Sequence, residues 1–200
     1  MTILLAMAIF ALVTSISPGP VNILATVTGA NCGYLRTVPH IMGATLGFVT
    51  ILFLLGFGLS QFLSEAPYLT DILTYLGGAF LLYLSYKVAT QNPLSDSEED
   101  NTSAPSLFQG IMCQWLNPKA WIVSLAGISV FFHDNSAELE KLLIFCSIFF
   151  VVCYASISVW AVLGVTIRSI LSTPRHFKLF NIVMGLLLAV TVLYTFSLSN

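Results

Sequence analysis

The sequence predicts an all-α integral membrane protein, with six transmembrane helices forming two inverted three-helix repeats whose first and fourth helices are broken. Three observations carry that reading. Hydrophobic residues make up 57% of the chain and charged ones only 8%, and the mean hydropathy of +0.92 lies far outside the soluble globular range. Stretches free of charge recur at membrane-spanning length. Prolines stand well inside two of those stretches, away from their ends, at Pro18, Pro20 and Pro118, where they interrupt a helix rather than extend it.

Each span follows from counting. About 20 apolar residues cover the roughly 30 Å hydrocarbon layer as helix. Met1 to Leu35, Thr37 to Ser64, Leu142 to Ile167 and Leu179 to Asn200 contain no Asp, Glu, Lys or Arg. Ile72 to Tyr86 is shorter and extends past Lys87 when that side chain snorkels to the interface. Asn101 to His133 is interrupted only by Lys119. The helices are therefore placed near Thr2 to Val27, Pro39 to Ser60, Ile72 to Ala89, Leu107 to Phe132, Leu142 to Val165 and Leu179 to Ser197. The first stretch lacks the basic start and small-residue cleavage pattern of a signal peptide, so it is retained as a span.

Between the third and fourth helices, "QNPLSDSEEDNTSAP" (Gln91 to Pro105) is the long polar connector and holds the dense cluster of acids. It reads as a solvated linker and divides the chain into a first repeat (1–90), a linker (91–106) and a second repeat (107–200). With three spans in each half, the second half enters the membrane in the opposite sense from the first. The internal similarity is faint: "SPGPV" against "NPKAW", and Gly77 and Tyr86 spaced like Gly185 and Tyr194. Arg36, Lys87, Arg168, Arg175 and Lys178 fall in odd-numbered loops, and Lys141 stands alone on the other side. The positive-inside rule then makes those loops cytoplasmic and turns both termini outward, to the periplasmic side of an inner membrane.

Several functions are disfavoured. A net charge of −2 with no basic stripe points away from nucleic acid. Cys32, Cys113, Cys146 and Cys153 show neither metal spacing nor a secreted framework and read as packing residues. No metal or cofactor is implied. An integral membrane enzyme lacks support, because the spans hold no His and carboxylate cluster and no nucleophile elbow. A structural subunit without a cavity would not need two broken helices at matching depth.

The breaks mark the candidate site. Pro18 and Pro20 lack the amide hydrogen and clash with upstream carbonyls, so carbonyls around Val13 to Ile16 lose helical partners. In hydrocarbon such groups persist only where they are buried in protein or line a wet cavity. Paired broken helices from two inverted halves frame substrate sites in many secondary transporters. Lys119 is the second pointer: an ammonium within a span costs at least about 2.5 kcal/mol, so it faces a cavity, a partner or a function, or else snorkels to one interface. No acidic residue lies within the six spans to pair with it, and a substrate carboxylate is one candidate partner.

The substrate-binding set is accordingly Pro18, Gly19, Pro20, Asn22, Gln114, Asn117, Pro118 and Lys119. Asn22 and Gln114 suit two roles equally, contacting substrate or satisfying the carbonyls that proline frees. Gly43 and Gly47 form a small-xxx-small pair that favours packing within the protomer over a homodimer, which stays open as an assembly. His40, beside Pro39, is expected at the membrane interface, and Trp115 and Trp121 flank the second break.

On these residues the chain resembles the lysine-exporter (LysE/RhtB) family of amino-acid exporters. The resemblance runs nearly end to end: "SPGPVN", Gly33 with Arg36, "GATLG", "YLGGAFLLYLSYK", "QWLNPKAW" and, more loosely, "NIVMGLLLAV". It implies a six-helix inner-membrane exporter of amino acids or their derivatives, driven by proton antiport, and closer to the branch handling neutral, cysteine-like or homoserine-like substrates. One departure matters. Many relatives carry Asp or Asn directly after Pro-Gly-Pro, where this chain has Val21. That points away from lysine or arginine and towards a small zwitterion moved by alternating access, with the bilayer and the amino acid as partners.

Overall fold

The structure, a computed structural model, describes residues 2–59, 67–90, 105–132, 139–171 and 173–199. These residues are helical almost throughout. In chain order the helices are α1 (Thr2–Ile16), α2 (Pro20–Cys32), α3 (Tyr34–Leu54, running into a π-helical turn at Leu55–Leu59), α4 (Pro67–Thr90), α5 (Leu107–Trp115), α6 (Pro118–Phe131), α7 (Leu139–Ile170) and α8 (Pro174–Ser199). The linker expected at residues 91–106 lies outside the described residues as far as 104.

Both proline motifs interrupt their helices as expected. The α1–α2 pair bends by 59°, and Leu116 and Asn117 separate α5 from α6. Other boundaries move. Gly33, at φ 82° and ψ 167°, turns the chain between α2 and α3 in a conformation that suits glycine. α3 therefore begins at Tyr34 rather than Pro39. Pro39 lies inside the helix, forfeiting one amide bond near its exposed start, where Leu35 is 83% accessible. His40 therefore sits within α3 rather than at its start, 2% exposed, with neither ring nitrogen hydrogen-bonded. α7 runs 32 residues, about 48 Å at helical rise, well beyond the apolar stretch that located it.

α3, α7 and α8 are each long and apolar enough to cross a membrane, and the bent α1–α2 pair counts as a fourth span. Together with the family assignment below, this makes the chain a multi-pass membrane protein. The most extensive helix pairings join α2 to α7, α3 to α5 and α4 to α8. Small residues bring these backbones together, as between membrane helices generally. A Cβ on Gly29 would meet the Ala161 carbonyl and one on Gly164 that of Thr26. In the same way Gly43 abuts Leu107, Gly110 abuts His40, and Gly47 packs on Ile111 and Gln114. The Gly43/Gly47 pair thus works within the protomer. α4 and α8 are joined by Ser85, whose hydroxyl donates to the Gly185 carbonyl (2.7 Å).

α2 is enclosed on every side from Pro20 to Ala30. The core next to it is aromatic. Phe149 of α7 stacks on Phe48 of α3 (4.8 Å between centroids) and meets Phe145 (5.0 Å) and Phe10 of α1 (6.1 Å) edge-on. Phe131, at the end of α6, closes the group against Phe10 (5.7 Å) and Phe145 (5.3 Å).

Candidate functional site

The two helix breaks meet in the interior, and their chemistry follows from the prolines. Pro20 and Pro118 each occupy a first-turn position of a new half-helix, where a missing amide costs nothing. Gly19 before α2 is extended (φ −171°, ψ 172°), a conformation open to any residue. Its small size has a different use: a Cβ there would lie 3.1 Å from Lys119 Cδ and 3.2 Å from Nζ.

The carbonyls at the end of α1 are then satisfied by side chains. Ser17 Oγ donates to the Thr14 carbonyl (3.0 Å). Asn22 Nδ2 donates to the carbonyls of Ser15 (2.8 Å) and Ser17 (2.9 Å). Trp160 Nε1, from α7, donates to the Ile16 carbonyl (3.0 Å). Lys119 Nζ, from α6, donates to the Ser17 carbonyl (3.0 Å) and hydroxyl (2.7 Å) and reaches the Pro18 carbonyl at 3.5 Å. A cation at a helix C-terminal end is also favoured by the helix dipole.

The second break is closed locally. Asn117 Oδ1 accepts from the Lys119 amide (3.2 Å), capping α6, while Asn117 Nδ2 donates to Gln114 Oε1 (3.2 Å). Trp121 Nε1 donates to the Trp115 carbonyl (2.7 Å), with the two indoles edge-to-face at 5.8 Å.

Between the breaks lies a cavity of about 40 Å³ lined by Thr14, Ser15, Gly19, Val21, Asn22, Phe48, Gln114, Asn117, Lys119, Ala120, Val123, Cys153 and Ile157. It has room for water but not for an amino acid. The lining holds one ionisable cation and no carboxylate. The Phe48 and Phe149 stack lies against it on the side towards the start of α1.

Of the eight residues predicted from the sequence, Gly19, Asn22, Gln114, Asn117 and Lys119 line this cavity, and Pro18, Pro20 and Pro118 set the breaks without lining it. For Asn22, the bonds to Ser15 and Ser17 realise the carbonyl-satisfying alternative. Sequence reasoning missed Ser17 as the oxygen partner of Lys119 and Trp160 as a cap. The one available signal for Trp160 was an indole N–H inside an apolar span, which must find an acceptor.

The family model described as LysE type translocator matches residues 12–196. Proteins named cysteine/O-acetylserine efflux protein, from Escherichia coli (strain K12) and Shigella sonnei (strain Ss046), are 29% identical over 205 residues, covering 96% of this chain and 98% of theirs. No solved structure matches the chain.

Proposed function

The chain belongs to the LysE type translocator family, a family of transporters and not of enzymes, and on that footing we propose that it exports a small zwitterionic amino acid across the inner membrane. Cysteine and O-acetylserine, named for its relatives, are the first candidates. One observation carries the reading: the cavity where the two broken helices meet holds a single cation and neutral polar groups, with no acid in its lining. Such a lining suits a carboxylate and leaves nothing to neutralise a cationic side chain. Lys119 would hold the substrate carboxylate, and the carbonyls of the α1–α2 break the substrate ammonium.

Transport proceeds by alternating access, coupled to the proton gradient, in a six-span protein of two inverted repeats (1–90 and 107–200). The helix pairing supports that symmetry. With α1, α2, α3 and α4 exchanged for α5, α6, α7 and α8, the α2–α7 pairing becomes α6–α3, the α3–α5 pairing becomes α7–α1, and α4–α8 maps onto itself, and each of these contacts is present. The charge distribution supports outward termini: Arg168 bonds the Asn31 carbonyl (3.1 Å) at the end of α7 remote from Lys141. The small cavity and the aromatic stack at its α1 side fit a closed state sealed on the outer face.

The test is uptake of labelled amino acids into proteoliposomes with and without an imposed pH gradient. Gradient-dependent movement of cysteine or O-acetylserine, with lysine and arginine excluded, is the expected result. Equal movement of lysine, or none of any amino acid, removes the reading.

A further inference from the structure

The ammonium of Lys119 occupies the kind of oxygen cradle that the proposed function reserves for a substrate ammonium: the Ser17 carbonyl (3.0 Å), the Ser17 hydroxyl (2.7 Å) and, more distantly, the Pro18 carbonyl (3.5 Å). We propose that Lys119 is a tethered stand-in for the substrate's ammonium, and that substrate binds by exchange: its ammonium takes the cradle while its carboxylate draws Lys119 away. The inference rests on the export reading above and extends it to how the site tells zwitterions from other small ions.

The exchange follows from which groups each ligand leaves without a partner. A simple amine could replace Lys119 in the cradle, but the displaced ammonium would stay in a cavity without a carboxylate, a charge buried without a partner. A simple carboxylate could draw Lys119 out, but the cradle would lose its cation, and the Pro18 carbonyl its donor among the described residues. A zwitterion alone fills the cradle and pairs the lysine in the same event. The tether adds to the discrimination, because a side chain already in place acts at an effective concentration that a free amine must exceed. Selectivity for amino acids over amines thus comes from one residue's competition with its own ligand.

The geometry also fixes why Gly19 is small. A methyl at that position would stand 3.1 Å and 3.2 Å from Lys119 Cδ and Nζ, against the path by which the side chain enters and leaves the cradle.

The experiment measures binding to the full-length protein in detergent, by thermal shift and by competition, with n-propylammonium, propionate and cysteine as probes. Wild type should bind cysteine, and propylammonium at least about tenfold more weakly. In Lys119→Ala the cradle is vacant, so propylammonium should bind at least about tenfold tighter than to wild type, and cysteine should lose its advantage over the amine. Propionate should bind neither form appreciably. Equal amine affinity in wild type and variant, or no amine binding to the variant, overturns the proposal. Lys119→Ser, equally short, repeats the test if the alanine variant does not fold. The export reading fails separately: wild type that neither binds nor moves any amino acid defeats it, even where the amine gap between wild type and Lys119→Ala persists.

Discussion

Replacing Asn22 by alanine separates the two roles that its place in the sequence suits. Asn22 is 4% exposed, and its Nδ2 donates to the carbonyls of Ser15 (2.8 Å) and Ser17 (2.9 Å). The substitution removes two neutral hydrogen bonds, each worth about 1 kcal/mol net. Ser17 keeps Lys119 as a donor, so the further penalty falls on Ser15, whose carbonyl is left unsatisfied in a low-dielectric interior for about another 1–2 kcal/mol. The sum is about 3–4 kcal/mol, which for a chain of this size lowers the melting temperature by roughly 6–16 °C. The assay is thermal unfolding in detergent beside proteoliposome export at equal reconstituted amounts. Asn22→Ala should melt early and, at permissive temperature, keep much of its export. A variant as stable as wild type that no longer transports would refute the argument and make Asn22 a direct substrate contact.

Four further outcomes are expected. Lys119→Met, which keeps the stem and removes the charge, should cut export by about ten- to a hundredfold while the protein stays folded, the loss of one charge-assisted bond to substrate; full export by this variant takes Lys119 out of the site. Gly29→Val, whose Cβ would meet the Ala161 carbonyl, should separate α2 from α7 and abolish the monodisperse folded fraction, and normal yield would mean those backbones are not in contact. Trp160→Phe should raise the export rate or leak more than Trp121→Phe does, although each removes one indole bond to a carbonyl (3.0 Å and 2.7 Å); identical behaviour of the pair counts against the asymmetry argued below. Reporter fusions after Asn200 should be active on the outer side, and cytoplasmic activity reverses the assigned orientation.

The breaks and the inward-facing residues were legible in the sequence because their causes are local. Proline forfeits an amide wherever it stands, so the ends of α1 and α5 could be placed from Pro18, Pro20 and Pro118 alone. Lys119 was legible for a similar reason: an ammonium in an apolar span needs a destination. What that destination was could not be read. Ser17 lies 102 positions away, and no periodicity brings it to Lys119. The same holds for Trp160 and Ile16, 144 positions apart. The start of α3 was misplaced at Pro39, when the true start is set by the positive φ of Gly33. A turn glycine outweighed a proline that costs the helix one amide bond near its exposed start. Charge-free length located α7 but underestimated it, since Glu140, Lys141 and Arg168 are helical residues too and hydropathy finds the apolar layer rather than the helix.

The two breaks are built alike and closed differently, and that difference bears on how the protein moves. Among the described residues, the side-chain bonds at the α5–α6 break come from its own half: Asn117 to Gln114, the Lys119 amide to Asn117, and Trp121 to Trp115. At the α1–α2 break Asn22 is local, but Lys119 and Trp160 cross over from the second half to bond Ser17 and Ile16. In the proposed alternating-access cycle, a rocking motion of one half against the other would leave every bond at the second break intact. It must part Lys119 from Ser17 and Trp160 from Ile16, and so uncover the carbonyls of the first. The first break is therefore where, in that cycle, relative motion of the halves and the binding of the substrate's ammonium would be the same event, because that ammonium can replace there a bond that the motion has to sever. The second break, satisfied within its own half, would keep the Lys119 backbone at a fixed position on α6 through that motion.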